Sequence, residues 1–119
     1  MQNVVLDTNA LLMPFEFKLN LDLELRRLLG DFLAYVPGCV IGELKRSESK
    51  HARVALSLAR KYPVAETSTQ GDAGVIEVAS KLDAFVVTND AIIRSKLRKL
   101  GMRTIFLRSN NHLAIDGDY

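Results

Sequence analysis

The chain has 119 residues, 48% hydrophobic and 25% charged, with 16 basic and 14 acidic residues giving a net charge of +2. That size and balance suit one globular domain over residues 1–119 and exclude a disordered or fibrous chain. A single cysteine, Cys39, excludes an internal disulfide and, beside Val40 and Ile41, reads as a small buried hydrophobe.

No run of about 18 apolar residues is present to span a bilayer. Asp7 interrupts the first apolar stretch before a secretory signal can form. A cytoplasmic protein without a membrane partner is expected.

In chain order, residues 3–6 form a short apolar run that ends in Asp7 and reads as a buried strand. Pro14 is expected to break the chain. From Phe15 to Leu25 two patterns compete. Phe15, Phe17, Leu19, Leu21, Leu23 and Leu25 alternate as in a strand, whereas Leu21, Leu25, Leu28, Leu29 and Phe32 fit one helical stripe. Asn20 as an N-cap and the Leu/Arg composition favour a helix from about Leu21, ended by Gly30 and Asp31. Residues 33–36 read as a strand. Pro37 then sits where a helix begins, with Val40, Ile41 and Leu44 as its apolar face.

Residues 52–62 predict a helix with Val54, Ala55, Leu58 and Ala59 inward, followed by a short extended piece at 63–65. Gly71 and Asp72 open a helix whose stripe is Val75, Ile76, Ala79 and Leu82. Residues 84–88 are the strongest strand, apolar almost throughout and rich in β-branched and aromatic side chains. A helix over 90–100 stops at Gly101, and 103–107 reads as the last strand. Strand–helix alternation predicts an α/β fold, a three-layer α-β-α sandwich with a central parallel sheet. Its functional crevice is expected beyond the carboxyl ends of the strands.

Four acids occupy telling places. Asp7 and Asp90 follow strands, Asp72 opens a helix, and Glu43 lies within a short helix. Each has an ordinary reading: Asp72 and Asp90 as helix caps worth about 1 kcal/mol, Glu43 as a solvated helix-face residue. Asp7 is harder to dismiss, because an acid directly after a buried strand is costly without compensation. Converging carboxylates repel and raise one another's proton affinity, a conflict that hard divalent ions such as Mg²⁺ or Mn²⁺ remove. Such ions also activate water and neutralise charge at a phosphate under attack.

The basic residues are segregated. Residues 91–108 contain Arg94, Lys96, Arg98, Lys99, Arg103 and Arg108 and no acid. With the four acids set aside, 16 basic residues face 10 acidic ones, an excess of six. A basic surface around an acidic pocket suits a polyanion, although charge alone fits a solvated helix face equally well.

Taken together, Asp7-Thr8-Asn9, Gly42-Glu43-Leu44, Gly71-Asp72-Ala73 and Thr88-Asn89-Asp90 resemble the signature of the PIN-domain ribonucleases, in order and over essentially the whole chain. The resemblance implies a central parallel sheet, Mg²⁺- or Mn²⁺-dependent endonucleolytic cleavage of RNA, and frequent homodimers. It implies Asp7, Glu43, Asp72 and Asp90 as the catalytic, metal-holding quartet, with Thr8, Asn9 and Thr88 as supporting polar residues. Lys45, Arg46, Lys50, Arg53, Arg94, Lys96, Arg98 and Lys99 are the candidates to hold the RNA backbone. The products expected are a 5′-phosphate and a 3′-hydroxyl. Tyr35, Tyr62 and Phe17 are available to stack bases, but core packing is their expected role.

Two branches of the family compete. The basic helix and the ending, Leu107-Arg108 with Leu113-Ala114-Ile115-Asp116-Gly117-Asp118, resemble archaeal relatives of the small-subunit ribosomal RNA-processing endonuclease. The toxin branch of toxin–antitoxin pairs shares the core and would bring an antitoxin partner in place of a pre-ribosomal one. Asp116 reads as a solvated tail residue, with an auxiliary acid as the alternative. A haloacid-dehalogenase-like phosphatase needs a second Asp where Asn9 stands. His51 and His112 read as surface residues without catalytic partners, and no Cys/His cluster suggests zinc. A non-catalytic RNA- or protein-binding scaffold is the rival from another class, and it has no need of four converging acids.

Overall fold

A computed structural model describes residues 1–116. Gly117 and Asp118, part of the distinctive ending, lie outside the described residues. Strand β1 (Gln2–Leu6) is followed by α1 (Thr8–Phe17), α2 (Leu21–Leu29) and β2 (Phe32–Pro37). Next come α3 (Gly38–Arg46), α4 (Ala52–Ala59), β3 (Val64–Ala65) and α5 (Gly71–Leu82). The chain continues with β4 (Phe85–Val87), α6 (Ala91–Lys99), β5 (Thr104–Arg108) and β6 (His112–Ile115).

The strands form one sheet in the order β3-β2-β1-β4-β5-β6, flanked by the helices, and all pairings but the last are parallel. β6 corrects the expectation that residues 103–107 end the sheet. It pairs antiparallel with β5 through a turn in which Ser109 and Asn110 both adopt positive φ. The segment alternates too weakly for a strand pattern to stand out. Its edge is secured by α2: Glu24 accepts from the Leu113 N–H at 2.8 Å, and Arg27 donates to the Leu113 carbonyl at 2.6 Å.

Pro14 does not break the chain. It lies inside α1, where its ring costs one backbone hydrogen bond, and the surrounding apolar positions keep the helix in place: Ala10, Leu11 and Met13 are buried. The ambiguity after Phe15 resolves towards helix. The Asn20 side chain accepts from the Leu23 N–H at 3.0 Å, a working N-cap, and Leu21 and Leu25 turn inward while Leu23 is exposed. Phe17, at the end of α1, is more than a third exposed and leaves its expected place in the core. In α4 the buried face is Ala52, Ala55 and Ala59, and Val54 points outward.

β1 and β4 are central and pair in the register Leu6↔Val87. Val4, Val5, Leu6, Val86 and Val87 are fully buried, so both faces of this central pair are covered by the core. The first residue beyond each strand, Asp7 on one and Thr88 on the other, therefore emerges at the same end of the sheet. None of the helices among the described residues is long and apolar enough to cross a membrane.

α5 packs closely against the start of α3. A Cβ on the buried Gly74 would stand 2.5 Å from Cys39 Sγ and 2.8 Å from the Thr69 carbonyl oxygen. Gly74→Ala must push the helix away from a backbone atom and should destabilise the protein by about 1–3 kcal/mol. Urea denaturation checks this, and an unchanged midpoint would contradict the close packing.

Candidate active site

The pocket at the carboxyl end of β1 and β4 has a volume of about 210 Å³ and is lined by Asp7, Thr8, Asn9, Leu12, Glu43, Gly71, Asp72, Val75, Asp90 and Ile93. All four acids singled out from the sequence border it. A larger cavity of about 690 Å³ between α1, α2 and α4 holds one acid, Asp22, and that carboxylate accepts from the Tyr62 hydroxyl at 2.6 Å. Convergent acidic chemistry therefore belongs to the smaller pocket.

Asp7 is its most constrained member, buried at the end of β1. It caps α1 by accepting from the Ala10 N–H at 2.7 Å. Burial pushes its carboxyl up to about 7. Hydrogen bonds from the Thr88 side chain and the Ala10 N–H oppose the rise, and the nearby charges of Asp90 and Glu43 add to it. Thr88 is fully buried and couples two acids, because its hydroxyl also accepts from the Asp90 N–H at 3.1 Å.

Asp90 caps α6, accepting from the N–H groups of Ile92 and Ile93 at 2.8 and 3.3 Å. Its capping reading and its place at the pocket hold together. Asp72 is not a cap: Gln70 occupies that position, and the Asp72 carboxylate instead meets Lys96 Nζ at 3.3 Å. Glu43 is exposed on α3.

Two asparagines fix the turn that carries Asp90. Asn9 accepts from the Asn89 N–H at 2.8 Å, and Asn89 in turn accepts from the Leu107 N–H at 3.2 Å. Asn89 was not singled out from the sequence, although its place in Thr88-Asn89-Asp90 marked it. Glu77 is a second omission. Its carboxylate accepts from Ser68 and Thr69 through both backbone and hydroxyl groups, tying down the loop before Asp72. Those bonds, Thr69's hydroxyl first, hold its carboxyl down to about 2.

Asp116 is not a solvated tail residue. Its side chain is only 10% exposed, and it accepts from Arg98 at 2.7 Å and Thr104 Oγ1 at 3.2 Å with Arg94 at 3.7 Å. The Arg98 hydrogen bond, with the charge of both arginines, holds its carboxyl below the usual range. Arg94 also lies 4.1 Å from the Phe106 ring. Arg94 and Arg98 thus find their first partner in Asp116, whereas Lys45, Arg46, Lys96 and Lys99 are exposed on α3 and α6. His51 stacks on Phe15. Tyr62 packs against the core as expected.

A divalent ion of the hard class needs oxygen donors. The polar lining is entirely oxygen and amide, which suits a hard cation. The Thr8 hydroxyl is buried in the pocket wall without a protein partner, so it has a hydrogen bond to give to a bound species. Among the described residues no three acidic, histidine or cysteine side chains stand grouped as a ready metal cage. Asp72 faces Lys96 instead, and it must turn for the acids to act together.

The Asp7 environment has a consequence for stability. Unfolded, the carboxyl loses its proton near pH 4; folded, it keeps it to about 7. The native state holds the extra proton in that interval, so stability without metal falls as pH rises from about 4 to about 7 and then levels off. The loss from this group alone is about 4 kcal/mol. Asp7→Asn keeps a capping oxygen and should remove this part of the slope. Urea midpoints in EDTA across that range check it, and an identical slope in the variant would assign the pH dependence elsewhere.

Known proteins share this fold. The family described as "PIN like domain" matches residues 4–110. The chain is 28% identical to Ribonuclease VapC9 of Archaeoglobus fulgidus, an alignment spanning 94% of this chain and 87% of the relative. It is 26% identical to Ribonuclease VapC4 of Methanocaldococcus jannaschii, over 98% of both. Among solved structures, the PIN domain endonuclease Utp24 superposes with a TM-score of 0.83 at 20% identity, covering 96% of this chain and 90% of that one. A domain of a functionally unknown M. jannaschii protein gives 0.66 at 18% identity, covering 92% and 93%. With a sheet of this order, four acids around one pocket and a family match over nearly its full length, the chain belongs to the PIN-like domain family.

Proposed function

We propose that this protein is an endoribonuclease that hydrolyses RNA phosphodiester bonds with Mg²⁺ or Mn²⁺ held by Asp7, Glu43, Asp72 and Asp90. The observation that carries this reading is Asp7, a buried carboxyl that shares a polar pocket with three other acids. The names of the two curated relatives, both ribonucleases, support the substrate class. A bound divalent ion supplies neutralising charge and acidifies water beside the phosphate. The chain's own groups do the rest. Thr88 and the Ala10 N–H orient Asp7, and Asn9 and Asn89 hold the turn before Asp90. The Thr8 hydroxyl has its hydrogen bond free for a water or phosphate oxygen. Exposed Lys45, Arg46, Lys96 and Lys99 hold the RNA backbone, and the products carry 5′-phosphate and 3′-hydroxyl.

The ending of the chain favours ribosomal RNA processing. The two VapC relatives favour a second reading, a toxin-type ribonuclease held by an antitoxin partner. Crosslinking to RNA in the native host separates the two: pre-ribosomal sequences support the first, and transfer or messenger RNA with a small co-purifying protein supports the second.

Activity itself is tested on end-labelled single-stranded RNA with Mn²⁺ or Mg²⁺. Wild-type protein should cut internally and stop in EDTA, and Asp7→Asn should lose at least about 100-fold in rate while retaining its fold by circular dichroism. Full activity of the variant would refute the site.

A further inference from the structure

The Lys96–Asp72 pair lies at the pocket, and it serves more than the fold. Asp72 borders the pocket, yet its Oδ2 is bound 3.3 Å from the Lys96 ammonium. Lys96 lies one turn beyond Ile93, a pocket-lining residue, so both use the same face of α6. The two side chains are 54% and 44% exposed, and an ion pair so open to water is held weakly and exchanges its partners readily. Arg94 and Arg98 lie towards the other side of α6 and pair with Asp116, while Lys99 follows Lys96 by one turn. Among the described residues, Lys96 is the basic side chain that pairs with a pocket acid.

We propose that Lys96 and a divalent cation are alternative partners of Asp72, so that cation binding frees the Lys96 ammonium for the RNA backbone. The inference rests on the carboxylate pocket being the cation site. A cation arriving at Asp72 outcompetes the single charge of Lys96 and repels it, and a phosphate of the incoming strand is the nearest remaining anion of the right kind. Cation and RNA then bind with positive coupling: each favours the state in which Lys96 has left Asp72. Without the cation, Lys96 stays on Asp72 and contributes little to RNA binding.

The test compares wild type, Lys96→Met, Lys99→Met and Asp7→Asn. Lys99→Met removes the same charge from the same helix, and its Mn²⁺ affinity without RNA reports the effect of net charge alone. Mn²⁺ affinity without RNA, read by electron paramagnetic resonance of the free ion, should tighten by about threefold to tenfold in Lys96→Met. In Lys99→Met the change should stay under about twofold. Fluorescence anisotropy with a non-cleavable 2′-O-methyl single strand gives the second readout. Mn²⁺ should strengthen RNA binding by the wild type, and Lys96→Met should lose most of that gain. Equal Mn²⁺ affinities in wild type and both lysine variants overturn the exchange and leave the nuclease reading standing. Weaker Mn²⁺ binding by Lys96→Met overturns it too. Equal Mn²⁺ binding by wild type and Asp7→Asn sinks the carboxylate pocket as the cation site, and the exchange falls with it.

Discussion

A carboxyl group closes a central strand of the sheet whose last three residues are fully buried, and the site is organised around what that costs. Removing a charge from water without a counter-charge is unfavourable by several kcal/mol. Asp7 meets two further acids, Asp90 and Glu43, in place of a cation. The β1–β4 register leaves it little room to escape, because Leu6 and Val87 are locked face to face in the core. Thr88 and the Ala10 N–H hold the oxygens in place but do not neutralise them. A positive charge brought beside Asp7 would offset that cost.

The other acids show what compensation looks like when it is complete. Asp116 is surrounded by Arg94, Arg98 and Thr104, and it joins α6 to the end of β6. Glu77 is saturated by the loop at Ser68 and Thr69. Both carboxyl groups are held low, in the direction opposite to Asp7. The contrast separates acids whose charge is compensated within the frame from one whose burial is not. It also divides the basic residues: Arg94 and Arg98 tie α6 to Asp116, while Lys45 and Lys99 reach solvent.

Much of this was legible in the sequence. Apolar runs gave β1 and β4, and the capping residues Asn20 and Asp90 marked helix starts, because such signals are local and depend on single side chains. The pocket followed from topology, since parallel strands that neighbour each other must exit at one end. What escaped notice depended on partners distant in sequence. β6 is held by Glu24 and Arg27 from α2, nearly ninety residues earlier and invisible to any periodicity. Asp116 looked solvated because its arginines lie on α6, some twenty residues earlier. Pro14 looked like a breaker because the cost of one lost hydrogen bond is local, while the burial of Leu11 and Met13 that outweighs it is tertiary. Asp72 opened a helix as expected, but its side chain turned to Lys96 and not to its own backbone.

If a buried carboxyl held short of a counter-charge is the organising feature, a cation must settle beside it. Crystals soaked in manganese and measured at the manganese absorption edge give the direct answer. The account predicts an anomalous peak about 2.0–2.3 Å from an oxygen of Asp7 and from at least one of Glu43, Asp72 and Asp90. Manganese bound only elsewhere, with the Asp7 carboxyl unchanged at saturating concentration, would contradict it.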